Sequence, residues 1–232
     1  MKIAVHELGE ERNKIIVIDN AVPAAEGLIA LAAMGPPFAD VTNNSYPGKR
    51  RLLNPNSEAE SDYVNYLCNI AGPAMHDAFG VKSFKVDHAS LSLMTKRSFE
   101  ANPLTRIPHY DEIKRPKYAL LHFLTTRPQG GTGFYRHRRT GYELISSERK
   151  DAFHEGLRQD WLAFGDPEMA YISGSNDAYE QIGYFEGHFN RLLIYSGALL
   201  HSAQVPDNFA YSADPRSGRL TANLFLMPPA DQ

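Results

Sequence analysis

His109 and Asp111 stand two residues apart in Pro108-His109-Tyr110-Asp111. In an extended segment residues i and i+2 project to the same side, so an imidazole nitrogen and a carboxylate oxygen can converge on one point. A second imidazole must come from elsewhere in the chain. His201, just after the apolar run NRLLIYS at Asn190–Ser196, is the candidate, with His137 next in line. Two histidines and one carboxylate on one face of an octahedron leave three positions open. That arrangement suits non-haem Fe(II), which must take a bidentate cosubstrate and then dioxygen. A single carboxylate leaves the centre net positive, which favours an anionic chelator. Taken alone, H-x-D is a weak signal in a chain with 9 histidines; a surface His beside a turn-forming Asp is the bland alternative. A lone His after a strand is often a hydrogen-bonded, partly buried residue.

Arg219 and Thr221 share one face of the run RLTANLFLM, again at i and i+2. A guanidinium offers a planar fork that matches a carboxylate, and a nearby hydroxyl adds one more donor. Beside a metal, this pair would hold the far carboxylate of a dicarboxylate. Away from any partner, an Arg on an edge strand simply faces solvent. Arg136 and Arg191 are the alternative basic residues for that role.

Elements must carry these residues to one place. KIIVID at Lys14–Asp19 is a short β-branched run and reads as a strand. A helix is expected from Ala24 to about Met34, stopped by Gly35-Pro36-Pro37, and a second from Glu58 to Phe79, kinked or split at Pro73. Thr42–Pro55 is polar with Gly and Pro and reads as a loop. From about residue 82 the pattern changes to strands: Phe84–Leu93, Lys117–Thr125, Thr132–Arg136 after a Gly130-Gly131 turn, Asn190–Ser196 and Arg219–Met227. Between them, about 141–189 reads as an insertion with a helix near Ser147–Phe164 and a Tyr/Phe-rich stretch from Ala170 to Phe189. The ends of that insertion lie near the candidate ligands, which predicts a contribution to a substrate mouth. Helices followed by short strands with Gly-rich turns predict a mainly β barrel or sandwich with helices on one face.

The blocks occur in a telling order: P-H-x-D, then YALLHFL, GGTGFY, NRLLIYSG-x-x-x-H and RLT-x-NLFL. This series resembles prolyl-4-hydroxylase-like members of the Fe(II)/2-oxoglutarate-dependent dioxygenase superfamily. Within it the chain looks most similar to a bacterial family often encoded near tryptophan-halogenase-like genes, as IIVIDNAVP and YPGKR also suggest. The resemblance is strongest over about 104–140 and 190–227. It implies one double-stranded β-helix (jelly-roll) domain over 1–232, with a helical N-terminal part to about residue 80 and the jelly-roll core at about 82–228. It implies Fe(II) on His109, Asp111 and His201, and 2-oxoglutarate as cosubstrate with Arg219 on its far carboxylate. Thr221 and His122 are the further donors, His122 standing where hydroxylases commonly have a Tyr. If the face shared by Tyr118, Leu120, His122 and Leu124 points into the barrel, His122 meets the cosubstrate. The His201–Arg219 interval is longer than usual because Phe209–Ser217 looks inserted.

Bulk properties fit such a protein. The chain has 232 residues, 43% hydrophobic and 22% charged, with formal charge -3. No strong field draws it to nucleic acid or to an anionic membrane surface. One cysteine, Cys68, excludes an intrachain disulfide, and no apolar run approaches a membrane span, so a cytoplasmic protein is expected. Lys49-Arg50-Arg51 reads as a solvated basic loop; Arg136-His137-Arg138-Arg139 could lie at a barrel mouth and attract an anion. Trp161 and the aromatics of 164–189 read mainly as core. The expected activity is Fe(II)- and 2-oxoglutarate-dependent hydroxylation of a C–H bond in an amino acid, peptide or small metabolite. The alternatives are a metal-bearing jelly-roll binding module without turnover and a metal-free interaction domain.

Overall fold

The computed structural model describes every residue except 43–45, 207, 210 and 230–232. Parts of the expected loop 42–55 and of the apparent insertion 209–217 therefore lie outside the described residues.

Two antiparallel sheets form a double-stranded β-helix. The strands are β1 (Lys2–Leu8), β2 (Asn13–Asp19), β3 (Ala39–Asp40), β4 (Gly48–Leu52), β5 (Lys85–Met94), β6 (Tyr118–Phe123), β7 (Gly131–His137), β8 (Tyr179–Glu186), β9 (Leu192–Ser196), β10 (His201–Gln204) and β11 (Arg219–Met227). The helices are α1 (Glu26–Met34), α2 (Glu58–Phe79) and α3 (Lys150–Phe164). The large sheet runs β1-β2-β9-β6-β11-β5-β4-β3 and the small one β10-β7-β8. No described helix is long and apolar enough to cross a membrane.

Strand alternation builds two distinct layers. On β11, Leu220, Ala222, Leu224 and Leu226 face outward and join a buried cluster with Leu120 of β6, Ile194 of β9 and Ile16 and Ile18 of β2. That layer is covered by α2, whose Tyr63, Leu67, Ala71, Ala74, Met75 and Ala78 recur at helical spacing. Truncating the fully buried Leu67 to Ala would cost roughly 2–5 kcal/mol. The helix ends on Gly80, whose φ of 71° lets its N–H close on the carbonyls of His76 and Met75. The inner layer, between the sheets, holds Ile15, Val17, Ala119, Leu121, Phe123, Phe134, Leu193 and Tyr195.

Several expectations are corrected. The stretch expected as a helical N-terminal part contributes β1, β3 and β4 to the large sheet besides the expected strand β2. Within the expected loop 42–55, Gly48–Leu52 is a strand because its backbone pairs with β5 from Gly48↔Met94 to Leu52↔Ser90. Its Arg51 is buried against Glu60 of α2 at 2.6 Å, which tethers strand to helix. α2 continues through Pro73 without a break. β1, β8 and β10 lie outside the runs expected as strands from the sequence. Each is short or carries Lys, Glu, Gln or His, and owes its conformation to a paired neighbour.

Candidate functional site

The metal-ligand candidates meet through backbone pairing. The His109 N–H donates to the His201 carbonyl and the His201 N–H to the His109 carbonyl, both at 2.9 Å. This antiparallel bridge sets the two imidazoles side by side, with ring centroids 4.6 Å apart. The Asp111 N–H donates to the Gly197 carbonyl at 2.7 Å, which fixes the carboxylate beside them. One ligand atom each from His109, Asp111 and His201 lies within 4.8 Å of the others. His201 Nε2 is 3.6 Å from Asp111 Oδ2, while its Nδ1 donates to the Leu199 carbonyl at 2.8 Å. That bond selects the tautomer whose Nε2 lone pair faces the cluster.

Burial and neighbouring charge set the protonation states. Burial lowers His201 to about 4, and burial together with the His201 charge lowers His109 to about 4. Both rings are neutral at pH 7, the form that ligates a metal. Burial raises the Asp111 carboxyl above its ordinary value, against the pull of His109, Lys117 and Arg50. Among the described residues, no Lys or Arg pairs with Asp111. The donor set of two neutral nitrogens and one carboxylate oxygen, without a cation of its own, fits a divalent transition metal.

The same cavity reaches Arg219. It measures about 360 Å³ and is lined by His109, Asp111, His201, Tyr195, Arg219, Thr221 and Asn223 among others. Arg219 keeps 2% exposure. Its Nε and Nη2 donate to the Gln129 and Gly131 carbonyls at 3.1 Å each, and its Cζ lies 5.7 Å from the Phe123 ring centre. Among the described residues no carboxylate pairs with it. Burial lowers its pKa, and the groups that partly offset this, Tyr46, Tyr184, Tyr195 and Tyr211, are phenols rather than carboxylates. A buried guanidinium lacking an anion is costly unless a ligand supplies one. Thr221 is buried beside it and accepts from Asn223 Nδ2 at 3.2 Å.

His122 lies elsewhere. It projects from the outer face of β6, opposite the cavity, and is fully buried beneath α2. Tyr63 Oη donates to its Nδ1 at 2.7 Å, and its Nε2 donates to Asn190 Oδ1 at 3.0 Å. The expected donor role is corrected: the face with Leu120 and Leu124 meets α2, and Phe123 faces inward instead. Besides Tyr46 and Tyr110, the cavity is lined by Tyr195 of β9. Burial, with the Asp111 charge, raises its pKa well above the ordinary value. The alternation of LLIYS places Tyr195 with Leu193, but nothing in that run distinguishes a cavity tyrosine from a core one.

Other candidates are accounted for. His137 is fully buried and held at both nitrogens, by Thr140 Oγ1 at 2.8 Å and Asp160 Oδ2 at 2.7 Å. Arg136 pairs with Glu143, Glu10 and Glu180, Arg139 with Asp160, and Arg191 with Asp19. Arg138 donates to the Asn176 carbonyl at 2.9 Å, and none of residues 136–139 lines the cavity that holds the metal-ligand candidates. No residue of 141–189 lines this cavity. That segment instead braces the ligand loop: His154 of α3 meets the Tyr110 hydroxyl at 3.0 Å, and Phe153 packs on the Tyr110 ring.

The sequence matches a family described as "Family of unknown function (DUF6445)" over residues 1–226. The chain belongs to that family. No curated protein matches the sequence. Among solved structures, HygX from Streptomyces hygroscopicus with nickel and 2-oxoglutarate bound is similar at 12% identity and TM-score 0.53, covering 94% of this chain and 84% of that one. AviO1 from Streptomyces viridochromogenes Tue57 is similar at 12% identity and TM-score 0.53, covering 94% and 91%. SnoN, the non-heme alpha ketoglutarate dependent epimerase from nogalamycin biosynthesis, is similar at 10% identity and TM-score 0.53, covering 94% and 79%. At these identities the likeness establishes that this DUF6445 member shares their jelly-roll fold.

Proposed function

We propose that this DUF6445 protein is an Fe(II)- and 2-oxoglutarate-dependent oxygenase that oxidises a C–H bond of a small molecule or peptide. The observation that carries the proposal is one cavity holding both the His109–Asp111–His201 cluster and the buried, carboxylate-free Arg219. The neighbours lend support, since HygX has been seen with nickel and 2-oxoglutarate and SnoN is described as alpha ketoglutarate dependent.

In this reading His109, Asp111 and His201 hold the iron on one face. Bound Fe(II) with 2-oxoglutarate supplies dioxygen activation, coupled to release of succinate and CO2, as the oxidant for the C–H bond. The chain's residues orient and enclose. Arg219 receives the far carboxylate of 2-oxoglutarate with its remaining guanidinium edge, while the Gln129 and Gly131 carbonyls hold it in place. Thr221 and Tyr195 supply hydroxyls along the same wall. Phe123, Leu121 and Ala119 keep the inner face dry, which strengthens each charge–dipole contact inside.

The test is anaerobic reconstitution with Fe(II), then titration with 2-oxoglutarate while following the visible charge-transfer band. One iron per chain, a saturable band and oxygen-dependent succinate formation are expected. A stoichiometric metal with no band and no succinate would leave a metal-bearing binding module.

A further inference from the structure

The cavity contains a second cation. Arg50 of β4 lies in register with Ser92 of β5, which in turn pairs with Thr221 of β11. These residues share the inner face, and Arg50 lines the cavity together with Tyr46, Pro47, Leu104 and Thr105. Its Nε donates to Ser92 Oγ at 3.2 Å, and its Cζ sits 5.1 Å from the centre of the Tyr46 ring. Ser92 Oγ also accepts from Asn223 Nδ2 at 3.1 Å, so Arg50 joins a polar track running through Asn223 to Thr221. Its sequence neighbours have acid partners: Lys49 pairs with Asp40 and Arg51 with Glu60. Among the described residues Arg50 has none.

A solvated arginine samples many rotamers, and holding one costs side-chain entropy. Here the Nε bond and the Tyr46 face hold the guanidinium plane and leave the Nη edge without a carboxylate. Further inner-face polar groups on β5 are unsatisfied: Ser90 Oγ and His88 Nε2 are buried and lack hydrogen-bond partners among the described residues. The two arginines also differ in depth. Arg219 is buried, whereas Arg50 is only half-buried.

We propose that Arg50 recognises an oxyanion, carboxylate or phosphate, on the primary substrate, which makes the substrate class a small organic acid. This rests on the reading of Arg219 as the cosubstrate's receptor. A forked guanidinium beside the metal cluster orients an acid end-on, and the polar track offers hydrogen bonds to the rest of the molecule.

The test uses protein loaded with Mn(II) and saturating 2-oxoglutarate, with Zn(II) protein as the diamagnetic control. The probes are matched sets of N-acetyl amino acids, their carboxamides, and alkyl phosphates, followed by ligand-proton relaxation. Mn(II)-enhanced relaxation is expected for the acids or the phosphates, the stronger set naming the anion, and not for the carboxamides. Arg50→Met should weaken it about tenfold or more, and Arg50→Lys should restore part of it, while 2-oxoglutarate affinity stays within about twofold. The proposal is overturned if carboxamides relax like acids, if Arg50→Met changes nothing, or if no anion approaches the metal. It is equally overturned if Arg50→Met loses 2-oxoglutarate, which would make Arg50 the cosubstrate's receptor. If wild type binds no 2-oxoglutarate, the oxygenase reading falls, yet the Arg50 dependence is still measured in the Mn(II)-only protein.

Discussion

His109 and His201, distant in sequence, exchange both backbone hydrogen bonds at 2.9 Å, and their rings lie 4.6 Å apart. The bridge is made by main chain, so it survives loss of either side chain. His201→Ala and Asp111→Ala should therefore fold as wild type does but lose bound Fe(II), with affinity falling more than about tenfold. Metal analysis after anaerobic loading, alongside far-UV circular dichroism, checks both halves. Retention of stoichiometric iron in His201→Ala would put the third ligand elsewhere. His137 is a poor substitute, because Thr140 and Asp160 occupy both of its nitrogens.

Arg219→Ala should leave iron bound and weaken 2-oxoglutarate by well over tenfold. Removing a buried partner of a carboxylate costs on the order of 2–5 kcal/mol. Arg219→Lys keeps the charge but loses the fork that also reaches the Gln129 and Gly131 carbonyls, so an intermediate loss is expected. Calorimetric titration of 2-oxoglutarate into the anaerobic Fe(II) protein reads all three. Equal affinity in wild type and Arg219→Ala would move the role to another residue.

His122 makes stability depend on pH. Burial lowers its pKa from 6.5 to about 4, partly opposed by its bond to Asn190. The unfolded chain thus binds a proton more readily than the folded one. The stability held at pH 7 is complete above about 6.5 and is lost as pH falls toward about 4, by on the order of 3 kcal/mol. His109 and His201 carry shifts of the same sign in the metal-free protein, so the comparison must isolate His122. Urea melts of wild type and His122→Gln at pH 7 and pH 4.5 do this: the variant should lose less stability on acidification. Parallel losses would mean that His122 does not carry the effect.

Gly130 has φ of +73°, and a Cβ there would meet the Gln204 carbonyl oxygen at 1.9 Å. Gly141 has nearly the same φ, +72°, but nothing lies within 4 Å of its Cβ position. Gly141→Ala should cost about 1–2 kcal/mol, the backbone penalty alone. Gly130→Ala should cost clearly more, because backbone must also move. It should weaken 2-oxoglutarate too, since the flanking Gln129 and Gly131 carbonyls hold Arg219. Thermal melts with and without 2-oxoglutarate separate the effects; equal costs for the two alanines would discount the close approach.

The sequence by itself determined which residues can do chemistry and which share a face. The i, i+2 spacing of His109 and Asp111, and of Arg219 and Thr221, follows from the period of an extended chain and needs no tertiary information. The same holds for RLTANLFLM, whose small and apolar set, Leu220, Ala222, Leu224 and Leu226, had to lie opposite Arg219, Thr221 and Asn223. Periodicity does not say what covers each face. β6 is buried on both sides, so YALLHF could not reveal that His122 meets Tyr63 under α2 while Phe123 enters the cavity. Only the tertiary structure decided this, because a buried imidazole is tolerable wherever two partners satisfy its nitrogens. It also decided the fate of the cations. Arg50, Arg51, Arg136 and Arg191 are chemically alike in the sequence. Glu60 and Glu143, nearby in sequence but on other elements or turns, and Asp19, 172 residues away, neutralise the last three and leave Arg50 facing the cavity without an acid among the described residues.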